Sequence, residues 1–307
     1  MKIGVTIAGI LVLLLFVGGP DNQAGRLYQE IWDLGHVLLF ALVIALALRW
    51  PRWQSRPVWQ LVLVCVLLAP LVGLAIEWLQ LIVGRDFEYK DVLADTVGAF
   101  CGLAINRLRQ PKMTAALRAA WLLVLLLLLA FALRLLAAVV IDRYYMAEDF
   151  PVLADFENQF ELSRWDTHLA ELAISREQPR YGEHSLRVNF QAGEYPDITL
   201  IDFPADWRGF KSLRFSVFNT LAVPLQMELK IYDTAHRDSD YAYSDRFNRE
   251  LPIQPGWNDI EVRIDDMVAA PKSRELDLQH IAAFSLFIEQ LPQPALMYVD
   301  ALRLSSR

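Results

Sequence analysis

Long apolar segments in the first half of the chain constrain its fold more than any other feature. Five of them approach the length of about 20 residues that a helix needs to cross a bilayer. The fifth contains the run LLVLLLLLAFAL. They lie at residues 3–17, 34–49, 58–82, 91–106 and 119–141. The sequence therefore predicts an α-helical membrane bundle of about five transmembrane helices over residues 1–142.

The first segment has two interpretations. It follows Met1 and Lys2 and ends before Gly18, Gly19 and Pro20, an arrangement also found in cleaved signal peptides. A retained first span is favoured, because the later segments need it for a consistent orientation.

The charge distribution separates the chain into two parts of different class. Residues 1–142 carry 12 basic and 9 acidic side chains, whereas residues 143–307 carry 17 and 27. This asymmetry indicates two domains. The acidic second part argues against nucleic acid as a partner, because binding to phosphates needs a basic surface.

Basic residues in the loops predict the orientation in the membrane. They cluster after the second and fourth segments, on the side of Lys2, and loops with this excess of Lys and Arg remain in the cytoplasm. The basic residues are Arg49, Arg52, Arg56, Arg107, Arg109, Lys112 and Arg118. We therefore expect a bacterial cytoplasmic (inner) membrane protein with a cytoplasmic N-terminus and an extracytoplasmic C-terminal domain.

Polar side chains interrupt the apolar segments at one end. A charge inside a membrane is costly unless it faces protein or water, so such residues indicate a functional site. The eight candidates are Asp33, His36, Glu77, Gln80, Arg85, Asp91, Asp95 and Arg134. In the predicted orientation they all lie in the outer third of the bilayer. The sequence thus predicts a polar pocket open to the outer leaflet.

Structural interpretations of the same residues remain open. His36 is compatible with a simple helix–helix contact, Asp33 with an N-cap, and Arg134 with a side chain that extends to the membrane surface. Gly98 and Gly102 are typical of close helix packing. Glu77 and Asp95 are the hardest to explain in this way, because neither lies at a helix end.

The polar residues also form a recognisable motif. They read Asp33-x-x-His36, Glu77-x-x-Gln80 with Arg85, and Asp91-x-x-x-Asp95 with Gly98 and Gly102. This combination, within about residues 5–110, resembles the VanZ-like membrane family, which usually has Asn in place of Asp95. The resemblance implies a link to glycopeptide (teicoplanin) resistance and names no reaction.

The second part of the chain has the periodicity of β-strands. Apolar and polar residues alternate in segments such as LRFSVFN and LQMELKI, and turn residues separate these segments. We expect nine or ten short strands in an all-β jelly-roll sandwich over residues 152–307, after a linker at 143–151.

Scattered residues of this domain resemble the galactose-binding-like fold of carbohydrate-binding modules. They include Asp155-Phe156-Glu157, Asp206-Trp207, Pro255-Gly256-Trp257-Asn258 and Tyr298-Val299-Asp300. The resemblance implies glycan binding and a candidate structural calcium held by Glu157 and Asp300. The alternative is that both carboxylates are simply solvated, and the sequence indicates no other cofactor.

One segment between two predicted strands concentrates groups suited to sugars. Aromatic rings stack on apolar sugar faces, and carboxylates and arginine bind hydroxyl groups. The candidates in the segment 232–249 are Tyr232, Asp233, His236, Tyr241, Tyr243, Asp245 and Arg246. A long polar loop held by one buried Arg–Asp pair is equally compatible with this composition.

Three functions follow as hypotheses. The first is a membrane protein that binds a cell-envelope lipid or polysaccharide. The second is a membrane enzyme in which Glu77, Asp95 and His36 perform acid–base chemistry on an amphiphilic substrate. The third is a non-catalytic scaffold. The common nucleophile, zinc-protease and phosphate-loop motifs do not occur in the sequence.

Overall fold

The computed structural model describes Thr6, residues 25–82 and residues 87–306. The chain divides into two compact units, Met1–Val140 and Ile141–Arg307, and each is described by itself. Apart from Thr6, the first predicted span, residues 3–17, lies outside the described residues, as does Arg85.

The first unit is helical. Four long helices are described, α1 (Arg26–Ala47), α3 (Val58–Ile82), α4 (Tyr89–Leu108) and α5 (Ala115–Asp149), together with the short α2 (Pro51–Gln54). The last residues of α5, from Ile141 on, belong to the second unit. Among the described residues, α1, α3 and α5 are long and apolar enough to cross a membrane. The predicted membrane protein is thus confirmed, whereas a count of five spans is not.

Helices α1 and α4 pack unusually close together. A Cβ atom on Gly98 would lie 2.9 Å from the Cα of Val37, and one on Gly102 would lie 2.5 Å from the carbonyl oxygen of Ala41. Because glycine has no Cβ atom, α1 and α4 can approach this closely. Leu39 of α1 and Ala99 and Leu103 of α4 are buried in the same unit. The close spacing follows from small residues one helical turn apart.

Two helix boundaries differ from the sequence interpretation. Helix α1 begins at Arg26 with Gly25 as its N-cap, so Asp33 lies inside the helix and the N-cap interpretation is wrong. Helix α5 extends to Asp149, so most of the predicted linker 143–151 is helical. Within the second unit, buried Asp142 accepts hydrogen bonds from Nε and Nη2 of Arg164 at 2.9 and 2.6 Å, which fixes the last turns of α5.

The second unit is an antiparallel β-sandwich, as predicted. Its strands are β1 (Val152–Ala154), β2 (Trp165–His168), β3 (Ala170–Ser175), β4 (Ser185–Phe190), β5 (Gly193–Glu194), β6 (Asp197–Leu200), β7 (Ser212–Asn219), β8 (Leu225–Asp233), β9 (Phe247–Ile253), β10 (Gly256–Arg263), β11 (Ile281–Phe287), β12 (Gln290–Leu291) and β13 (Ala295–Ser305). The short helix α6 (Ile264–Val268) follows β10.

Two large sheets form the layers of the sandwich. One has the order β10-β7-β13-β4-β3, with β1 paired to β13, and the other has the order β2-β6-β11-β8-β9. The pair β5 and β12 is separate. Thirteen strands are described where nine or ten were predicted, and β1, β5 and β12, with two or three residues each, account for the difference.

Alternation along the strands builds the core. In β8, Met227, Leu229 and Ile231 are buried, and the residues between them face outward. Phe215 and Phe284 meet edge to face between the two sheets, with ring centroids 5.2 Å apart. Full burial of such side chains contributes roughly 1.5–3 kcal/mol each, so the sandwich has a core of its own.

Candidate functional site

A buried polar cluster lies within the helical unit. The imidazole of His36 on α1 is fully buried, and its Nδ1 lies 3.0 Å from Oδ1 of Asp95 on α4. Its Nε2 lies 3.4 Å from Oδ2 of Asp91, one helical turn earlier. Glu77 and Gln80 on α3 are also buried. Three helices thus bring five of the eight predicted residues into the interior of this unit.

Local features of α3 and α4 make room for these carboxylates. A Cβ atom on Gly73 would lie 2.6 Å from Oδ2 of Asp95, so glycine leaves space for that group. Oε2 of Glu77 accepts a hydrogen bond from the backbone N–H of Glu88 at 2.9 Å. The residue before α4 is therefore connected to α3 through a buried carboxylate.

Charge compensation in this cluster is incomplete. Three carboxylates, from Glu77, Asp91 and Asp95, surround one imidazole, and electrostatic interactions couple Glu77 to His36 and Asp95. Within the described part of the chain, His36 Nε2, Glu77 Oε1 and Asp91 Oδ1 are buried without a hydrogen-bond partner. Unpaired buried polar atoms cost about 1–3 kcal/mol each, so the cluster is not an optimal structural element.

Two of the predicted residues lie in a separate cavity. It has a volume of about 80 Å³ and is lined by Glu30, Asp33, Lys90 and Arg134 together with apolar side chains of α1, α4 and α5. Nζ of Lys90 lies 3.1 Å from Oδ2 of Asp33. Arg134 donates to the carbonyl oxygen of Phe131 at 2.8 Å, and its guanidinium lies 3.7 Å from the Phe131 ring centroid.

The contacts of His36 with Asp91 and Asp95 join two parts of the sequence motif in one site. Residues 7–110 match the VanZ/LLP1 family. This match confirms the resemblance predicted from the sequence, and it covers the VanZ-like segment alone. No curated protein matches the chain.

Outside the VanZ-like segment, three residues of the predicted sugar-binding loop are buried in the sandwich: Asp233, His236 and Asp245. Nε of Arg274 donates to Oδ1 of Asp245 at 2.7 Å, and Nη2 donates to Oδ1 of Asp233 at 2.8 Å. The N–H of Asp277 donates to Oδ2 of Asp233 at 2.7 Å. We call Arg274, Asp233 and Asp245 the arginine clamp. His236 packs beside it, with Nδ1 3.3 Å from Oδ2 of Asp245.

The electrostatics of this group follow from those contacts. Hydrogen bonds from Arg274 lower the pKa of Asp245 to about 2. Burial lowers the pKa of His236, which favours the neutral imidazole. An Arg–Asp pair therefore holds this segment, but its arginine, Arg274, lies outside the segment 232–249. No local signal in the sequence identified Arg274, which lies 29 residues after Asp245.

The remaining residues of the loop face outward. Tyr241 and Tyr243 are 47% and 67% exposed. The guanidinium of Arg246 lies 5.2 Å from the Tyr243 ring centroid, and it also interacts electrostatically with Tyr232. These residues border the outer side of the five-stranded sheet.

Strand register extends this outward surface across the sheet. Lys230 on β8 lies opposite Ser285, and Phe287 on β11 lies opposite Asp197. Nζ of Lys230 is 5.8 Å from the ring centroids of both Tyr232 and Phe287. We call this surface the tyrosine face, which comprises Tyr195, Lys230, Tyr232, Tyr243, Arg246 and Phe287.

The tyrosine face is partly shielded from water. Burial, with a smaller effect of Arg246, lowers the pKa of Lys230, and burial raises the pKa of Tyr232. Sequence analysis did not select Lys230 or Phe287. The available signal was the alternation in LQMELKI, which places Lys230 on the side opposite the core.

The two candidate calcium ligands have other partners. Oε1 of Glu157 accepts the N–H groups of Glu183 and His184 at 2.7 and 3.0 Å, and Oε2 lies 2.9 Å from Nδ1 of His184. Oδ2 of Asp300 accepts the N–H groups of Arg180 and Tyr181 at 2.6 and 3.1 Å. Both carboxylates therefore hold the loop 180–184.

These contacts do not fit a calcium site. Calcium needs six to eight oxygen ligands, whereas the oxygens of Glu157 and Asp300 are already occupied by N–H donors. In the described residues, no group of three or more His, Cys, Asp or Glu side chains is arranged to hold a metal ion. The structural calcium implied by the fold resemblance is therefore not supported.

Several solved structures are similar to about half of this chain. An exo-β-agarase has 18% identity and a TM-score of 0.41, with 51% of this chain and 25% of that chain covered. A family 11 carbohydrate-binding module from Clostridium thermocellum, in complex with a β-1,3-1,4-mixed-linked tetrasaccharide, has 13% identity and a TM-score of 0.39, with 50% and 94% covered. A family 30 module of a cellulosomal cellulase from the same organism has 9% identity and a TM-score of 0.36, with 47% and 92% covered.

Proposed function

We propose that this protein is a membrane-anchored glycan-binding protein of the bacterial cell envelope, and that the tyrosine face is its polysaccharide site. The observation that carries the proposal is the row of aromatic and cationic side chains on one face of the five-stranded sheet. Tyr232 and Phe287 both lie beside the ammonium group of Lys230. Aromatic platforms next to polar groups are suited to sugars, which present both apolar faces and hydroxyls.

The tyrosine face suits an extended polysaccharide chain better than a single sugar. Neighbouring strands lie about 4.8 Å apart, so side chains on β6, β8 and β11 form a continuous surface. Tyr195 extends it at one end through its contact with Phe287, with ring centroids 6.3 Å apart. Asp197 and Lys230 are within reach of sugar hydroxyls along this row. A polysaccharide segment is therefore the ligand that this surface favours.

Localisation follows the charges of the loops. Arg49, Arg52 and Arg56 precede α3, and further basic residues follow α4, which favours the cytoplasm for those loops. We accordingly place the protein in the cytoplasmic (inner) membrane, with the sandwich on the extracytoplasmic side.

Glycan binding by the full-length protein in detergent tests the proposal. The array should include envelope polysaccharides and mixed-linked glucans. For a glycan that binds, Tyr232→Ala should weaken the affinity at least tenfold, and Phe287→Ala should have a similar effect. Tyr181→Ala, a change at a tyrosine that is 57% exposed elsewhere in the sandwich, is the matched control. Absence of any binding, or equal losses in all three variants, would refute the assignment.

A second candidate function concerns the cavity that contains Asp33 and Arg134. Its ionic side chains adjoin apolar walls from α1, α4 and α5, a combination suited to a charged fragment of an envelope-lipid head group. Native mass spectrometry of the purified protein should detect a co-purified lipid that Arg134→Gln removes. Arg118→Gln is the matched control, and lipid retention in both variants would exclude the cavity.

The buried cluster around His36 keeps the enzyme alternative open. An imidazole next to carboxylates is an arrangement that can perform general acid–base catalysis. Glu77→Gln and Asp95→Asn should then abolish turnover of an amphiphilic substrate without loss of folding. Variants that both misfold would favour the scaffold hypothesis, in which the cluster only holds α1, α3 and α4 together.

A further inference from the structure

The connection between α1 and α3 has an unusual composition that the proposed function does not use. Residues 49–60 read RWPRWQSRPVWQ and contain three arginines and three tryptophans. No acidic residue occurs between Asp33 and Glu77, so the positive charge of this connection is not balanced by neighbours in the sequence. Clustered arginine and tryptophan side chains next to an apolar helix are typical of a membrane interface.

The connection is held in one conformation. Pro51 is the first residue of α2, where proline fits without loss of a hydrogen bond. Nε2 of Gln54 donates to the carbonyl oxygen of Arg49 at 2.8 Å, and the N–H of Trp53 donates to that of Trp50 at 2.9 Å. Trp53 also packs against the buried core of the helical unit. These hydrogen bonds therefore hold the backbone of this connection, and with it the positions of its side chains, in one arrangement.

A groove of about 540 Å³ lies between α2 and the start of α3. We call it the Trp–Arg groove, and its lining residues are Trp50, Arg52, Trp53, Arg56, Trp59, Gln60, Leu63 and Val64. Trp50 and Trp59 are 70% and 64% exposed. In the part of the chain that the structure describes, neither Arg52 nor Arg56 has a carboxylate within 4 Å, and the Nη1 of Arg56 is 3.5 Å from Gln60 Oε1.

We propose that the Trp–Arg groove binds the head group of an anionic phospholipid. Guanidinium groups match phosphate oxygens through paired hydrogen bonds, and among the described residues no carboxylate pairs with either arginine and competes. Indole rings are favoured at the depth of lipid head groups, where an apolar body and a polar N–H are both accommodated. Charge complementarity therefore selects an anionic head group over a zwitterionic one.

The surface beyond the groove indicates where the acyl chains lie. Leu63, Leu67 and Leu71 follow one another at intervals of one helical turn along α3, and all three are exposed. This apolar stripe begins at the groove itself, since Leu63 lines it. An acidic peptide would satisfy the arginines but would leave the stripe uncovered, so the geometry favours a lipid.

Binding of phosphatidylglycerol tests the assignment. The full-length protein is reconstituted in phosphatidylcholine nanodiscs, and phosphatidylglycerol adducts are titrated by native mass spectrometry. The double variant Arg52→Gln/Arg56→Gln should weaken the apparent affinity at least tenfold. The control Arg109→Gln/Arg118→Gln removes the same charge from the other basic loop and should change it less than twofold. Equal losses in both would show general electrostatic attraction and overturn the proposal.

Two further measurements keep the test decisive. Arg52→Lys/Arg56→Lys retains the charge but not the paired hydrogen bonds, so it should still lose several-fold in affinity, and full retention would contradict head-group recognition. Trp59→Ala should weaken binding even if the arginine variants fail to fold. Equal binding of phosphatidylcholine and phosphatidylglycerol to the unaltered protein would also refute the site.

Discussion

Two buried groups of charged side chains in this protein are built in opposite ways. In the sandwich, one guanidinium contacts two carboxylates, and the backbone N–H groups of His236 and Asp277 also donate to the two carboxylate oxygens of Asp233. In the cluster around His36, one imidazole faces three carboxylates, and three buried polar atoms have no hydrogen-bond partner among the described residues. The first group is compensated, whereas the second is not.

The difference distinguishes charged groups that are paired within the fold from charged groups that are left partly unpaired. Sequence analysis assigned Asp233 and Asp245 of the arginine clamp to a ligand site, yet their carboxylates accept hydrogen bonds from Arg274 inside the protein. The cluster around His36 retains unsatisfied groups, a feature enriched at functional sites, and we propose such a role for it. Chemically similar residues thus differ in how fully their charges are compensated because their partners differ.

Among these predictions, removal of Arg274 from the arginine clamp should have the largest effect on the free energy of unfolding. Arg274→Leu leaves two buried carboxylates without their cation, which should lower the free energy of unfolding by about 3–5 kcal/mol. Thermal melting of the full-length protein in detergent measures the change. The control Arg263→Leu breaks an exposed pair with Asp265 and should leave the melting temperature unchanged. Similar melting of both variants would show that the clamp is not structural.

Neutralisation of one carboxylate in each group tests the comparison directly. Asp233→Asn should destabilise the protein by about 1–3 kcal/mol, because it weakens the bonds to Arg274 and replaces an acceptor by a donor. Asp91→Asn should leave stability unchanged or raise it, because it removes a poorly compensated buried charge. Only the Asp233→Asn variant should therefore have a lower melting temperature than the unaltered protein. Equal destabilisation would mean that both groups are structural.

Glycine substitutions sharpen the account of helix packing around the His36 cluster. Gly98→Ala would bring a Cβ atom to 2.9 Å from Val37 Cα, so it should cost about 1–3 kcal/mol. Gly35→Ala meets nothing within 4 Å and should stabilise α1 by about 0.5–1 kcal/mol. Thermal melting in nanodiscs distinguishes the two. A destabilising Gly35→Ala would contradict the described α1 environment.

Acid should selectively weaken the clamp. The pKa of Asp245 falls from its ordinary value of 3.8 to about 2 in the folded protein, so the unfolded chain binds a proton first. The stabilisation is complete above the unfolded pKa and is lost as pH falls through the folded one. The difference in melting temperature between the unaltered protein and Arg274→Leu should thus shrink between about pH 4 and pH 2. A constant difference would contradict the assignment.

Addition or removal of calcium should have the smallest effect on the melting temperature. Because N–H groups occupy the oxygens of Glu157 and Asp300, neither calcium nor a chelator should shift the melting temperature of the full-length protein. His184→Ala removes one of these partners and should lower stability by about 1 kcal/mol. A calcium-dependent shift of several degrees would show that the ion displaces the present contacts.

Sequence patterns predicted the elements of this protein well. The span Val58–Ile82 has the predicted boundaries, and the strands around LRFSVFN and LQMELKI appear where alternation placed them. The grouping of side chains was less predictable. Asp33 lies in the cavity with Lys90 instead of beside His36, and the loop 232–249 divides between interior and surface.

The sequence by itself determined the two kinds of secondary structure, the division into a membrane part and a β part, and the residues that approach one another along a single helix or strand. These properties depend on periodicity and hydrophobicity, which are local. Tertiary structure alone decided the partners. Arg274 reaches Asp233 across 41 residues, and His36 reaches Asp95 across 59, because packing of separate elements sets distances that no local pattern encodes.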